Sequence, residues 1–173
     1  SSLPNNCVIK TNHSWSDLII IKNGVINKIL TRGIKLETKK ENYKKWKTMA
    51  LQKFNPPNEQ HYKHIKPEIF VEEYLGDNLE DYKFFCFHGK VKFVQVDYDR
   101  FTNHCRFFKD KNNNILPFNN IMYKHCNNEK KIVKKIPKIK EMIDIAENLS
   151  KKFEFVRVDL YNIDNKIYFG EFT

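Results

Sequence analysis

The stretch Phe155-Val156-Arg157-Val158-Asp159-Leu160-Tyr161-Asn162-Ile163-Asp164-Asn165-Lys166-Ile167-Tyr168-Phe169-Gly170-Glu171-Phe172-Thr173 reads as two strands folded about Asp164-Asn165. Apolar and charged residues alternate in it with the period of two that a strand imposes. A three-residue loop at Asp164-Asn165-Lys166 predicts that Ile163 faces Ile167, Tyr161 faces Phe169, Asp159 faces Glu171 and Arg157 faces Thr173. Asn165 tolerates the left-handed backbone that such loops use. A two-residue loop instead sets Asp159 against Gly170 and turns Glu171 away, since a slip of one residue sends every side chain to the opposite face. In the first register two carboxylates converge, and like charges facing each other across a strand pair are destabilising. Either a cation sits between them, for which carboxylate oxygens suit magnesium, or the stripe faces solvent and Arg157 compensates it.

Working outward, the same alternation recurs. Cys7 to Lys10 is extended, Thr11 to Asp17 is a polar loop, and Leu18 to Lys22 and Val25 to Leu30 flank Asn23-Gly24, a strong hairpin signal. Glu37 to Phe54 changes to helical spacing, with Tyr43, Trp46, Met49 or Ala50, and Phe54 on one side, and Pro56-Pro57 ends it. Glu68 to Leu75 reads as a strand, Tyr82 to Phe87 and Val91 to Tyr98 as a hairpin through His88-Gly89, and Arg106 to Lys109 as one strand more. Asp110 to Ile136 has no clear periodicity and is expected to be a long excursion. Pro137 to Lys152 is expected to be a helix with an apolar stripe of Ile139, Met142, Ile143, Ala146, Leu149 and Phe153. Antiparallel hairpins with two separated helices indicate an α+β fold.

With 173 residues, 40% of them hydrophobic and 14% aromatic, the chain has enough apolar surface to offset the ordering entropy of its backbone. The net charge of +10 comes from lysines scattered through segments such as Lys39 to Lys47 and Lys130 to Lys140. The clustered stripe of a nucleic-acid footprint is missing, so no nucleic-acid partner is expected. No apolar run approaches the roughly 20 residues a membrane helix needs, and Ser1 to Lys10 has no leader pattern, so a cytoplasmic protein without a membrane span is expected. Cys7, Cys86, Cys105 and Cys126 show no CxxC spacing, so buried free thiols are expected. Zinc at His104-Cys105 and His125-Cys126 is disfavoured, because adjacent ligands on a strand point to opposite faces.

Three further segments carry candidate chemistry. Lys10 ends an apolar strand just before Thr11-Asn12-His13-Ser14-Trp15-Ser16, and an ammonium beside a loop of small polar residues suits a phosphate, as it also suits a solvated strand end. Val71-Glu72-Glu73-Tyr74-Leu75 offers apolar walls and backbone groups to a purine, though it reads equally as strand and turn. Asp81-Tyr82-Lys83 follows six residues later.

In this order the segments resemble the ATP-grasp superfamily, and more closely its TupA-like family, associated with bacterial cell-surface polysaccharides. The likeness runs through Tyr62-Lys63-His64-Ile65-Lys66-Pro67, Val71 to Leu75, Asp81 to Lys90, Asp99-Arg100 and Phe155 to Thr173. It implies ATP and magnesium as cofactors, with Lys10, the Ser14 loop and Lys83 at the phosphates, the backbone of Glu72, Glu73, Tyr74 and Leu75 at the adenine, and Asp81 at the ribose. Asp159 and Glu171 would ligate magnesium, with Thr173 where many relatives place an asparagine. Arg157, Arg100 and Arg106 would neutralise the transferring phosphoryl group or a substrate carboxylate. Residues 1–75 are then expected to form a first ATP-grasp subdomain and residues 76–173 a second, with the family's usual amino-terminal domain and its continuation beyond Thr173 outside this sequence. The implied reaction is ATP-driven joining of a carboxylate to an amine on a small-molecule or glycan-precursor substrate. Its rivals are a metal-dependent glycosyltransferase using a sugar nucleotide and a basic binding module.

Overall fold

A computed structural model describes residues 2–14, 17–55, 57, 60–77, 79–99, 102–117, 126 and 128–173. The chain divides into two compact units, Ser1–Tyr74 and Leu75–Thr173, and is α+β, with one antiparallel sheet in each.

The first unit has strands β1 (Cys7–Thr11), β2 (Leu18–Lys22), β3 (Val25–Thr31), β4 (Ile34–Leu36) and β5 (Ile69–Glu73), in the order β4-β3-β2-β1-β5. Helix α1 (Lys40–Ala50) packs on β3. Its Trp46 and Ala50 are buried against Cys7, Ile9, Ile19, Ile21 and Ile29, the inward residues of strands whose other positions stay partly wet. The helix is shorter than its periodicity suggests at both ends, although Phe54 is still buried. β4 has no counterpart in the sequence reading. It follows a tight turn at Arg32-Gly33, where both residues have positive φ.

The second unit has β6 (Asp81–Phe87), β7 (Lys90–Tyr98), β8 (Cys105–Lys109), β9 (Phe155–Ile163) and β10 (Lys166–Phe172), in the order β10-β9-β6-β7-β8. Helices α2 (Glu129–Val133) and α3 (Ile139–Ser150) complete it. Met142 and Ala146 of α3 join a core with Tyr82, Phe84, Cys86, Val94, Val96, Phe107, Val158 and Leu160. That core is one face of the sheet, because alternate residues of each strand share it. The expected stripe on α3 is corrected at its far end: Leu149 and Phe153 are exposed, since they lie in the last turn and beyond. α2 falls inside the stretch read as an excursion, where five residues are too few to show a helical period.

The four cysteines also need correction. Cys105 and Cys126 are joined in a disulfide, whereas Cys7 and Cys86 are buried free thiols. The pairing across 21 residues leaves no motif for local spacing to reveal, and it removes both thiolates from the zinc alternative. Among the described residues, no helix is long and apolar enough to cross a membrane.

Candidate functional site

The register of the β9–β10 hairpin is not the one its sequence suggests, yet it ends in the same place. Ile163 pairs with Lys166, so the loop is the two residues Asp164-Asn165, both at positive φ as in Asn23-Gly24 and His88-Gly89. Tyr161 therefore pairs with Tyr168, and Leu160 with Phe169, which corrects the expected Ile163–Ile167 and Tyr161–Phe169 pairs. Left alone, this register would put Asp159 against Gly170. A bulge between Phe169 and Glu171 inserts Gly170 as the extra residue and restores Asp159 opposite Glu171. Arg157 and Thr173 then exchange backbone hydrogen bonds of 2.9 and 3.0 Å. Glycine is needed here on steric grounds, because a Cβ would lie 2.9 Å from Tyr161 Cε2 and 3.1 Å from the Asp159 carbonyl oxygen.

The pairings carry this stripe across the sheet. Lys83 of β6 lies between Asp159 on β9 and Gln95 on β7, and Asp81 lies between Tyr161 and Asp97, with Asp97 opposite Arg106 of β8. Period two puts these residues on the face opposite the α3 core. The face is polar but not wet: Asp81, Lys83, Gln95, Asp97 and Asp159 are all buried. Burial of that many charges persists only where each is paired and hydrogen-bonded.

Asp159 is the centre. Lys83 Nζ donates to its Oδ2 at 2.5 Å, and Arg157 donates from Nε to Oδ1 at 2.7 Å and from Nη2 to Oδ2 at 2.8 Å. The Lys83 ammonium also lies 3.8 Å from Asp81 Oδ2. Arg157 Nη2 donates to Thr173 Oγ1 at 2.8 Å and lies 3.9 Å from Glu171 Oε1, on a side chain that remains exposed. Burial raises the Tyr161 hydroxyl pKa, and the carboxylates of Asp81, Glu171 and Asp159 push it further up, so this phenol stays protonated and available as a donor.

A second knot lies beside it. Asp97 accepts from Gln95 Nε2 at 2.8 Å and from Arg106 Nε and Nη2 at 2.5 and 2.9 Å, with His104 Nε2 at 2.8 Å from its Oδ1. Burial works against ionising Asp97. The Arg106 guanidinium, with His104 and Gln95, outweighs it and holds the carboxyl below the usual carboxylate range. Sequence reasoning found Arg106 but missed Asp97, Gln95 and Tyr161, and weighed His104 only as a zinc ligand. The available signal was Val94-Gln95-Val96-Asp97-Tyr98, where polar residues take every second place in an otherwise apolar strand.

In the first unit, Lys10 forms an ion pair with Glu72 at 2.5 Å, partly exposed on both sides. The loop after Lys10 is tied down by its own side chains. The Thr11 and Ser14 hydroxyls are 2.6 Å apart, Ser14 donates to Asp17 Oδ2 at 2.5 Å, and Asp17 Oδ1 accepts from Thr31 Oγ1 and the Arg32 N–H. His13 Nε2 lies 2.8 Å from the Gln52 carbonyl oxygen. Glu72 and Glu73 end β5, the ammonium of Lys22 sits 4.8 Å from the centroid of the Tyr74 ring, and the unit boundary falls between Tyr74 and Leu75. Arg100, Trp15 and Ser16 lie outside the described residues.

Could these residues hold a metal? Among the described residues, no three of the types His, Cys, Asp and Glu converge on one point. The set at the sheet edge is two carboxylates and a hydroxyl: Asp159, Glu171 and Thr173. All are hard oxygen donors, the class magnesium takes, and the ion usually keeps several waters and needs only one or two carboxylates. Their oxygens already surround one cationic nitrogen, Arg157 Nη2. The donor set fits.

A family model described as TupA-like ATPgrasp matches residues 1–173. No curated protein and no solved structure matches the chain.

Proposed function

The chain belongs to the TupA-like ATP-grasp family, and we propose that its second unit binds the polyphosphate of ATP together with magnesium at Lys83, Arg157, Asp159, Glu171 and Thr173. The observation that supports this most directly is the row across β10, β9 and β6, in which a buried ammonium and an arginine fork meet on a buried aspartate that faces a second carboxylate. Structural ion pairs seldom need so many charges out of water, since an apolar replacement is often as stable. Phosphoryl transfer does need them, because its catalysis is positioning and electrostatic stabilisation.

In this reading Lys83 donates to a phosphate oxygen, and Asp159 and Glu171 hold magnesium with Thr173 as an accessory oxygen. Bound magnesium supplies charge neutralisation at the transferring phosphoryl group. Arg157 faces the charge that develops during transfer. Arg106, fixed by Asp97 and His104 and backed by Gln95, holds an anionic group of the substrate, and Arg100 is assigned the same role. Asp81 accepts from the ribose. For the first unit the roles rest on the family: Lys10 and the Ser14 loop at phosphate, and the backbone of Glu72, Glu73, Tyr74 and Leu75 at adenine. Lys10 would exchange its exposed Glu72 partner for phosphate at little cost, because exposed pairs contribute only about 0–1 kcal/mol.

The reaction proposed is transfer of the γ-phosphoryl group of ATP to a carboxylate, giving an acyl phosphate and ADP. An amine then attacks the acyl carbon and phosphate leaves, forming an amide. The family likeness suggests a cytoplasmic step on a precursor of a surface glycan. A thermal-shift screen of ATP, ADP and UDP-sugars with and without magnesium tests this. A ligand at one hundred times its Kd stabilises the native state by about 2.7 kcal/mol, and that gain should appear with ATP and ADP only when magnesium is present. Stabilisation by UDP-sugars instead would select the glycosyltransferase, and no shift with any nucleotide would refute the proposal.

A further inference from the structure

Arg157 Nη2 lies 2.8 Å from Asp159 Oδ2, 2.8 Å from Thr173 Oγ1 and 3.9 Å from Glu171 Oε1. Those are the three oxygens assigned to the metal, so the guanidinium and a metal ion compete for one place. We infer that Arg157 is an internal stand-in for the metal, and that the metal gains its place only when a polyphosphate draws the guanidinium off Asp159. The inference rests on the reading of this site as one for a metal and a nucleotide.

Charge counting explains the coupling. Asp81, Asp159 and Glu171 against Lys83 and Arg157 leave a formal charge of −1, and a dication alone would turn that to +1 around the buried Asp81, Lys83 and Asp159. A polyphosphate arriving with the dication returns the sum to negative and offers the guanidinium a bidentate acceptor equal to the carboxylate it leaves. Of the two cations on Asp159, Arg157 is the one placed to move. Its side chain is 23% exposed and lies beside Thr173 near the start of β9, whereas that of Lys83 is 5% exposed between two carboxylates. Arg157 is thus a gate on the metal as well as a partner of the phosphoryl group, and metal and nucleotide should bind as a coupled pair. By linkage, each then raises the affinity of the other by the same factor.

The test uses the whole chain with Mn²⁺ as the probe, followed by electron paramagnetic resonance in the absence of nucleotide. Arg157→Met removes the competing cation and should bind Mn²⁺ at least roughly tenfold more tightly than wild type, the scale of a lost charge-assisted contact. Arg157→Lys keeps a cation there and should gain less. Arg157→Met should also melt lower than wild type and recover with Mn²⁺, which a purely structural arginine would not do. Equal or weaker Mn²⁺ binding by folded Arg157→Met overturns the inference. On the unmodified protein, the Arg157 Nε–H resonance should stay in place when magnesium alone is added and shift when ATP accompanies it. A shift with magnesium alone, at concentrations where ATP adds nothing, overturns the inference whether or not the variants fold. Failure of ATP with magnesium to stabilise wild type would refute the nucleotide reading. Mn²⁺ binding that tightens in Arg157→Met would still show the competition at Asp159.

Discussion

Replacing Gly170 by alanine tests whether the bulge in β10 sets the site. The new methyl would meet Tyr161 Cε2 at 2.9 Å and the Asp159 carbonyl oxygen at 3.1 Å. The ring edge can yield by a small rotation, but the carbonyl belongs to the backbone of β9 and cannot move without shifting Asp159. Overpacking of this kind costs about 1–3 kcal/mol, and at about 2–4 °C per kcal/mol for a chain of this size the melting temperature should fall by roughly 2–12 °C. The strand can escape by giving up the bulge. Its two-residue loop then pairs Asp159 with residue 170 and turns Glu171 to the other face. The stability loss should therefore be accompanied by loss of magnesium-dependent stabilisation by ATP, measured in the same thermal-shift series. Gly170→Ala that melts like wild type, or that melts lower yet keeps full magnesium dependence, would refute the reasoning that the bulge aligns the carboxylates.

Glu171→Gln, which removes one ligand charge with almost no change of volume, should weaken magnesium-dependent ATP binding about tenfold or more by calorimetry, since ligand charge sets affinity at such sites. Cys7→Ala in the first-unit core should leave it unchanged. Asp97→Asn should cost about 3 kcal/mol at neutral pH by leaving Arg106 without its counter-charge. Because the folded pKa of Asp97 is lowered, its contribution is complete above the unfolded carboxyl value near 4 and is lost as pH falls through the folded value. Denaturant titrations should accordingly show a shallower acid-side slope in the variant. Asp164→Asn with Asn165→Gly installs the preferred pair for a loop with two positive φ angles, and should raise the melting temperature by the equivalent of up to about 1 kcal/mol without altering ATP binding.

The sequence exposes strand and hairpin positions well because alternation and turn residues are local signals. Asn23-Gly24 and His88-Gly89 mark their loops, and both hold positive φ as expected. Asp164-Asn165 does the same without glycine, and in the absence of that signal the sequence points to a three-residue loop where the chain forms one of two residues. The facing of Asp159 and Glu171 agrees with the expected register although the pairs next to the loop do not, because the extra residue Gly170 offsets the shorter loop. Pairings between strands distant in sequence, such as Lys83 with Asp159 or Asp81 with Tyr161, depend on sheet order, which alternation does not encode. The same limit hid the Cys105–Cys126 bond and the Asp97 knot. Arg106 was identified through resemblance, and its partners needed the fold.

The order β10-β9-β6-β7-β8 has a consequence for how the second unit is assembled. During synthesis β6, β7 and β8 emerge first, as a meander whose buried lysine, Lys83, lacks its closest counter-ion, and whose Phe84 and Cys86 lack the strand that flanks them. β9 is made more than forty residues after β8, yet it inserts directly beside β6 and supplies Asp159 and Val158 together. Neutralisation on one face and apolar burial on the other thus arrive in a single late event. The three-strand intermediate should gain little from forming alone, so the unit is built to fold as a whole once its final hairpin exists.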